Sequence, residues 1–355
     1  MPPLDSASFH PEVMRAWLYS STSGDLEKNL HLDASARAPP APQGNEVLVR
    51  VLSAALNPVD YKFPEIGLPA RMVIGMPASP GLDFCGHVVA TGPLAQHFKE
   101  GQLVYGCPTR LGQFGSLGEY LNISADNIAV VPDGVAVDHA AAVPVAGLTA
   151  YQSLEGHVKA GENVFINGGS GGCGVFAIQI AKQRGCRVTT TCSTRNMELC
   201  LRLGADEVID YTAEADIVAK LRQRKVVFDC IVDHIGLPST LYYQCHHFLK
   251  ENGVFVQVGA SSLTTFIGRI GWPSFLGGGQ RKYKIVMVKN NQRQLVQLGE
   301  WLQDGTIQIQ LDSVYEFHDA KKAFEKLRSG RARGKIVVHV SDPHDQSMES
   351  FGIGL

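Results

Sequence analysis

The sequence has no surplus of basic charge, no long apolar run and no pair of cysteines at metal-binding spacing. Its 32 lysine and arginine residues face 34 acidic residues, so the net charge is −2. Such a balance offers nothing to neutralise the phosphates of a nucleic acid or an anionic membrane surface. No stretch approaches the roughly 20 apolar residues of a membrane-spanning helix. We therefore expect neither a nucleic-acid partner nor a membrane span.

The eight cysteines never fall in a C-x-x-C pair, which argues against a thiolate zinc knuckle. A chain of 355 residues is also too long to be a secreted disulfide framework. Residues 1–13 lack the basic segment followed by an apolar run that marks a secretory signal. These absences together predict a reducing, cytoplasmic location.

Two regions of different pattern follow one another along the chain. Up to about residue 135, glycine and proline separate short apolar runs, such as the alternating run at 46–56, which predicts a β-rich domain. From residue 163, strands alternate with helices, which predicts a doubly wound parallel α/β sheet. Residues 262–284 break this rhythm with glycines and aromatics, and we expect an irregular segment there. Helices are expected again at 292–303 and 320–328, and a last strand at 335–340.

A glycine-rich segment lies in the first strand–helix unit of the second region. Its residues fit G-x-G-x-x-G, follow a predicted strand at 163–167 and open a predicted helix at 175–184, which is the context that this pattern requires. The glycines let the backbone approach a pyrophosphate, and the helix N-terminus offers N–H groups to it. The alternative is a glycine-rich turn without a ligand. The predicted cofactor-binding residues here are Gly169, Ser170, Gly171, Gly172, Cys173 and Gly174.

The end of the next strand distinguishes NAD from NADP. An NAD site usually carries an acidic residue there for the ribose hydroxyls. In this chain residues 191–196 read T-C-S-T-R-N, without a carboxylate. Ser193 and Arg195 are suited to receive a 2′-phosphate, the latter with charge-assisted hydrogen bonds. NADP(H) is the expected cofactor, and a solvated loop arginine is the alternative.

Read with their flanks, these residues resemble the zinc-independent medium-chain dehydrogenase/reductases of the quinone oxidoreductase and enoyl reductase type. The resemblance spans about residues 15–340. It is carried by A-A-L-N-P-V-D-Y-K at 54–62, P-G-L-D-F-C-G at 80–86, A-G-L-T-A-Y-Q-S-L at 146–154, L-G-A-D-E-V-I-D-Y at 203–211 and G-K-I-V-V at 334–338, with residues 115–120 and 165–185.

The resemblance implies a GroES-like catalytic domain that the C-terminal segment completes, with a Rossmann domain inserted in it and an active site in the cleft. We assign residues 1–137 to the catalytic domain, 138–288 to the NADP-binding domain, 289–340 to the return segment and 341–355 to a polar tail. Relatives are often dimers formed through Rossmann sheet edges, so a homodimer is a further expectation.

The resemblance also implies that no metal is bound. Related zinc enzymes carry G-H-E where this chain has G-L-D at 81–83, and a cysteine ligand where Asn57 stands. Without a Lewis acid, hydrogen-bond donors polarise the carbonyl, which favours reduction of an already activated acceptor. We interpret His234, His246 and His247 as structural, because they lack metal partners at suitable spacing.

The resemblance assigns the catalytic positions to Asn57, Tyr61 and Lys62. Asn57 is expected at the nicotinamide region, and Lys62 to donate a hydrogen bond or proton to a developing enolate or phenolate oxygen. For Lys62 a surface lysine is an equal alternative, and for Tyr61 a packing aromatic is favoured. Further cofactor contacts are expected at Thr149, Tyr211, Gly259, Arg331 and Lys335. The alternative for Thr149 is a buried helical threonine, and the alternative for Tyr211 is a residue in a turn. For Arg331 and Lys335 the alternative is an ordinary surface residue.

The expected activity is an NADPH-dependent reduction of a quinone or of an α,β-unsaturated carbonyl, without zinc. The substrate is expected to be a small hydrophobic carbonyl compound or quinone, because residues 266–283 are partly apolar. One alternative is a trans-acting enoyl reductase of a biosynthetic pathway. The other is a cofactor-binding structural or adaptor protein without turnover, which the polar set Asn57, Lys62 and Thr149 disfavours.

Overall fold

The structure is a computed structural model, which describes residues 11–108, 114–214, 216–259, 269 and 278–341. The chain divides into two compact units. Unit 1 comprises residues 1–145, 290–303 and 311–355, and unit 2 comprises residues 146–289 and 304–310.

Unit 1 is built mainly from antiparallel strands. Its strands are β1 (Val13–Leu18), β2 (His31–Arg37), β3 (Glu46–Leu56), β4 (Asp83–Thr91), β5 (Leu103–Gly106), β6 (Tyr120–Ser124), β7 (Ile128–Val130), β14 (Leu311–Glu316) and β15 (Lys335–His339). The main sheet has the order β14-β15-β3-β4-β5-β7, with β6 paired to β3, while β1 and β2 form a separate pair.

Unit 1 also contains helices of 4 to 12 residues. They are α1 (Leu26–Asn29), α2 (Pro58–Lys62), α3 (Leu68–Val73), α4 (Val137–Ala141), α10 (Gln292–Gln303) and α11 (Ala320–Arg328). In β3, Val47, Val49 and Val51 join Phe84 of β4 and Phe324 of α11 in one buried core cluster. This packing holds the ends of β3, β4 and β15 side by side.

Unit 2 is a parallel sheet with helices. Its strands are β8 (Asn163–Asn167), β9 (Arg187–Cys192), β10 (Glu207–Asp210), β11 (Phe228–Asp233), β12 (Leu249–Gln257) and β13 (Lys282–Ile285). Its helices are α5 (Pro144–Leu154, which begins at the unit boundary), α6 (Gly172–Gln183), α7 (Met197–Arg202), α8 (Ile217–Gln223) and α9 (Thr240–Tyr243). The strand order β10-β9-β8-β11-β12-β13 is the doubly wound order 3-2-1-4-5-6, in which all strands are parallel and the order of successive strands reverses between β8 and β11.

The predicted fold class is confirmed, and several elements lie where the sequence patterns place them. The strands at 46–56 and 163–167 and the helices at 292–303 and 320–328 have the predicted bounds. The prediction of an irregular segment at 262–284 is wrong at its C-terminal end, because Lys282–Ile285 forms a strand parallel to β12. Most of the remainder of that segment lies outside the described residues.

None of the helices in the described ranges combines the length and hydrophobicity that crossing a membrane requires.

Candidate functional site

The glycine-rich loop between β8 and α6 is closely packed around its own backbone. Gly168 has φ +91°, a conformation that residues with a side chain rarely adopt. The Gly169 N–H donates to the Thr191 carbonyl at 2.9 Å. A Cβ on Gly174 would lie 2.1 Å from the Gly168 oxygen, so only glycine lets the helix approach the loop this closely. These are the glycine roles that a pyrophosphate-binding turn requires.

The first turn of α6 faces the loop without a side-chain cap. Gly171 is the N-cap residue, and as a glycine it makes no side-chain cap hydrogen bond to the first turn. Ser170 is held in place because its Oγ accepts a hydrogen bond from Asn196 Nδ2 at 3.0 Å. The positive end of the helix dipole and the loop backbone together form a suitable cradle for phosphate groups.

The predicted cofactor-selecting residues gather at the ends of β9 and β10. Ser193 directly follows β9, and the exposed Arg195 lies in the 3₁₀ turn Thr194–Asn196. The Tyr211 N–H donates to the Cys192 carbonyl at 3.0 Å, and 51% of Tyr211 is exposed. The structure thus brings Ser193, Arg195 and Tyr211 to one edge of the sheet.

A carboxylate also lies at this edge, which the sequence of the β9 tip does not reveal. Asp210, the last residue of β10, accepts hydrogen bonds from Thr194 Oγ1 at 2.5 Å and from Thr212 Oγ1 at 2.6 Å. These hydrogen bonds lower the pKa of Asp210 to about 2, so it is charged at neutral pH. The neighbouring strand therefore supplies the carboxylate that the tip itself lacks.

A chain of hydrogen bonds runs under the glycine-rich loop along the carboxyl ends of three adjacent strands. Thr191 Oγ1 accepts from the Gly168 N–H at 2.9 Å and donates to Asn167 Oδ1 at 2.7 Å. Asn167 Nδ2 donates to Asp233 Oδ1 at 2.9 Å. This series of hydrogen bonds is not visible in the sequence patterns. It fixes the start of the loop relative to the residues that follow β11.

Two further predicted cofactor contacts belong to unit 2. Thr149 lies within α5 and is 6% exposed. Gly259 follows β12, and a Cβ there would lie 2.0 Å from the His234 carbonyl oxygen. Gly259 therefore lets the segment after β12 pack directly against the residue after β11.

In unit 1, three polar residues form one buried cluster. Two of them, Asn57 and Lys335, are predicted site residues, and the third is Asp83. Asn57 follows β3, Asp83 begins β4 and Lys335 begins β15, so adjacent strand ends bring them together. The Lys335 ammonium donates to Asn57 Oδ1 at 2.7 Å and to Asp83 Oδ2 at 2.9 Å. Asn57 Nδ2 donates to Asp83 Oδ2 at 2.9 Å, and the Val145 N–H donates to Asp83 Oδ1 at 2.8 Å.

This cluster is almost completely shielded from solvent. The exposed fractions are 4% for Asn57, 0% for Asp83 and 2% for Lys335. Both polar atoms of the Asn57 side chain are occupied within the cluster. Lys335 thus holds the Asn57 side chain in place, and the cofactor contact predicted for Lys335 stays a prediction.

Asp60 lies beside this cluster as a buried acid. Its Oδ2 accepts the Asn57 N–H at 2.7 Å, while its Oδ1 is buried without a partner among the described residues. Burial raises the pKa of Asp60 to about 8, and the nearby Asp83 charge adds to this. The carboxyl is therefore largely protonated at neutral pH.

This raised pKa has a measurable consequence for stability. The pKa is about 8 in the folded chain and roughly 3.9 in an unfolded one, so folding takes up a proton between these two pH values. The contribution of Asp60 to the free energy of unfolding is therefore largest below about pH 4. It declines between pH 4 and pH 8, by up to ~1.4 kcal/mol per pH unit. We expect Asp60→Asn, which keeps an oxygen for the Asn57 N–H, to remove this decline. Thermal unfolding of both proteins between about pH 5 and pH 8 tests this, and parallel curves would contradict it.

The other predicted catalytic residues lie on α2. Tyr61 packs against the core cluster, and the Arg328 guanidinium lies 4.4 Å from its ring centre. Arg328 also bonds Glu27 at 2.7 Å and pairs with Glu65, which fixes it over the ring. Lys62 is exposed at the end of α2.

Arg331, the remaining predicted cofactor contact, is an exposed residue of unit 1. It follows α11, and its N–H donates to Ser329 Oγ at 3.3 Å. No group of three or more His, Cys, Asp or Glu side chains within the described ranges is arranged to hold a metal ion.

Two family descriptions match this chain. The alcohol dehydrogenase GroES-like domain matches residues 43–133, and the zinc-binding dehydrogenase family matches residues 203–338. The first match falls in the antiparallel unit 1. The second begins in unit 2 and ends in β15.

Similar proteins cover nearly the whole chain. The trans-enoyl reductase pgmF of Aspergillus terreus is 43% identical over 356 residues, which cover 95% of this chain and 99% of that protein. A zinc-type alcohol dehydrogenase-like protein of Schizosaccharomyces pombe is 34% identical, over 91% of this chain and 95% of its own. The solved structure of a quinone oxidoreductase from Coxiella burnetii has a TM-score of 0.82 and 30% identity, over 92% of this chain and 99% of its own. The chain belongs to the medium-chain dehydrogenase/reductase superfamily of oxidoreductases, and its Rossmann-type unit 2 is of the kind that binds a nicotinamide cofactor.

Proposed function

We propose that this protein is an NADPH-dependent reductase that delivers hydride to a quinone or to an α,β-unsaturated carbonyl compound without zinc. The observation that carries the proposal is the glycine cradle at residues 168–174 under an uncapped helix, followed by an arginine-bearing strand tip. The relationship to a trans-enoyl reductase and a quinone oxidoreductase supports the class of acceptor.

The residues of unit 2 fit a nicotinamide dinucleotide. The space that a Cβ on Gly169 or Gly174 would need is taken by neighbouring atoms at 2.1 Å, so the loop is built for close backbone approach. The N-terminus of α6 would hold the pyrophosphate. When bound, the reduced cofactor supplies the hydride, and the chain supplies binding and alignment.

The choice of NADPH rests on Ser193, Arg195 and Tyr211. Their side chains lie at the edge where a doubly wound fold binds the adenosine ribose. Arg195 provides a fixed positive charge and paired donors for a 2′-phosphate, whereas Asp210 opposes such an anion. We propose that Arg195 outweighs Asp210, because Thr194 and Thr212 direct their hydroxyl donors at the Asp210 carboxylate.

Replacing Arg195 with alanine is expected to raise the KM for NADPH about 10-fold or more and to leave that for NADH nearly unchanged, because the charge-assisted bonds serve only the 2′-phosphate. Arg202→Ala, the same change in α7, is the matched control and is expected to affect neither cofactor. Steady-state kinetics with both cofactors measure the effect. An equal rise for NADPH and NADH would contradict the assignment.

Catalysis without zinc is supported by the side chains at the positions where zinc relatives carry ligands. Residue 57 is an amide and residue 82 a leucine. The Asp83 carboxylate is already bound by the Lys335 ammonium at 2.9 Å. We propose that this internal cation takes the structural place of a metal and orders Asn57.

Protonation of the acceptor completes the reduction. Lys62 is the proposed donor, because it is exposed at the end of α2 and its amine is a hydrogen-bond donor. Tyr61 and water are the alternatives, and the contact of Tyr61 with Arg328 favours a packing role for the ring.

A second candidate function is that of a trans-acting enoyl reductase, which works on chains held by a separate biosynthetic enzyme. The 43% identity to a protein of that name over nearly the full length favours it. It shares the cofactor and the hydride step with the first candidate, and differs only in how the acceptor is presented.

A panel of acceptors tests both candidates on the purified protein. NADPH consumption is measured with a quinone, an alkenal, an enoyl-CoA thioester and an enoyl thioester on a carrier protein. Turnover of any of these supports the reductase, and a clear preference for the thioesters over free quinones supports the second candidate. A protein that binds NADPH and reduces none of them would contradict both.

A further inference from the structure

His234 occupies a particular place in unit 2, directly after β11 at the point where the strand order reverses. Its N–H donates to the Asn167 carbonyl at 3.2 Å, so its backbone abuts the end of β8. Its carbonyl oxygen and carbon are the atoms that exclude a side chain from Gly259. Its Cβ lies 3.8 Å from where a Cβ on Gly168 would be. His234 therefore lies between the glycine-rich loop at residues 168–174 and Gly259, at the carboxyl ends of the parallel strands.

The imidazole of His234 is unusual because neither ring nitrogen has a hydrogen-bond partner among the described residues, although both are buried. Burial lowers its pKa to about 4, so the ring is neutral at physiological pH. A neutral imidazole carries one N–H donor and one acceptor nitrogen. Leaving both ring nitrogens without a hydrogen-bond partner costs free energy. Such a buried group therefore requires an explanation, and a bound ligand that supplies the hydrogen bonds is one.

The backbone that carries the ring is held rigidly. Asp233 Oδ1 accepts hydrogen bonds from the Ile235 N–H at 3.1 Å and the Gly236 N–H at 2.9 Å. The same oxygen is bound by Asn167, which connects this turn to the glycine-rich loop. His234 is thus presented from a fixed turn. The residue as a whole is partly exposed although both ring nitrogens are buried, so a change of side-chain rotamer is the movement that would turn a nitrogen outward.

We infer that His234 is a cofactor-binding residue whose imidazole hydrogen-bonds the ribose hydroxyls of the nicotinamide half of the dinucleotide. This inference rests on the proposed cofactor. In a doubly wound sheet the adenosine half lies over β9 and β10, so the half beyond the reversal point faces the ends of β11 and β12.

A ribose diol matches the ring better than a phosphate does. Each hydroxyl both donates and accepts a hydrogen bond, which satisfies the N–H and the bare nitrogen together. A phosphate offers only acceptors and would favour a charged imidazolium, which this buried position opposes.

The test is His234→Phe, with His247→Phe at an exposed position of the same unit as the matched control. Two ligands are titrated into each protein: NADPH, and adenosine 2′,5′-bisphosphate, which has no nicotinamide half. We expect His234→Phe to weaken NADPH binding about 10-fold, in line with the loss of two hydrogen bonds, and to leave the bisphosphate affinity unchanged. The control variant is expected to bind both ligands as the wild type does.

Thermal unfolding gives a second readout that a merely structural histidine would not produce. Without ligand, His234→Phe is expected to unfold at the same or a higher temperature, because it removes two unsatisfied polar atoms. With saturating NADPH its gain in melting temperature is expected to be smaller than that of the wild type.

Unchanged NADPH affinity in the folded variant would overturn the inference, as would an equal loss for both ligands. A wild-type protein that binds NADH but not NADPH would overturn the proposed cofactor preference instead. The same comparison with NADH and ADP then decides the role of His234.

Discussion

Gly174→Ala is expected to weaken NADPH binding more than 100-fold and to lower the free energy of unfolding by about 2–3 kcal/mol. The added Cβ would lie 2.1 Å from the Gly168 oxygen and 2.7 Å from the Gly169 carbonyl carbon. These neighbours are backbone atoms and cannot rotate away, so either α6 or the loop has to move. Any such movement separates the helix N-terminus from the backbone that forms the phosphate cradle.

The matched control for this prediction is Gly171→Ala in the same loop. Gly171 has an ordinary φ of −82°, and its Cβ would meet only the Gly168 oxygen at 3.7 Å. The unfolding temperature of the Gly171→Ala variant is expected to stay near that of the wild type. Calorimetry and NADPH titration of both variants measure the effects. A Gly174→Ala protein with wild-type stability and NADPH affinity would show that the packing around this loop is not what forms the site.

Lys335→Met is expected to destabilise unit 1 by about 3–5 kcal/mol, because it leaves a fully buried carboxylate without its cation. Asp83 is 0% exposed and Lys335 is 2% exposed, so water cannot replace the lost partner. Asn57 also loses the donor to its Oδ1. We therefore expect the variant to lose reductase activity along with stability, measured by chemical unfolding and by turnover of the best acceptor.

A double variant separates the buried charge from the loss of packing. In Lys335→Met with Asp83→Asn no charge remains, and at least about 2 kcal/mol of the lost stability is expected to return. Lys182→Met, which breaks the partly exposed pair with Asp206 at 2.8 Å, is the surface control and is expected to cost less than about 1 kcal/mol. A double variant no more stable than the single one would contradict the account of this cluster.

The parts of the fold and site that the sequence predicts are those whose determinants lie close together in the chain. The glycines at 169, 171 and 174 are neighbours of the strand and helix that they connect, so their context is visible in the sequence. The strand at 46–56 and the helix at 320–328 show their periodicity within a single window. Local pattern therefore sufficed for the parallel sheet and for the glycine-rich connection between β8 and α6.

The features that the sequence does not predict depend on pairing between distant elements. Asp83 and Lys335 are 252 positions apart, and only the register of β15, β3 and β4 brings them together. Asp210 reaches the tip of β9 from the neighbouring strand. Without the structure, His234 is one of several histidines with no metal partner, because the lack of hydrogen-bond partners for a buried ring cannot be seen in a sequence.

The most direct test of the central claim is the ratio of kcat/KM for NADPH to kcat/KM for NADH, measured with the wild-type protein and one acceptor that it reduces. We expect a ratio of at least about 10 in favour of NADPH, because the charge-assisted bonds proposed for Arg195 form only with the 2′-phosphate. A ratio below one would show that Asp210, and not Arg195, governs this edge of the sheet, and would contradict the proposed function.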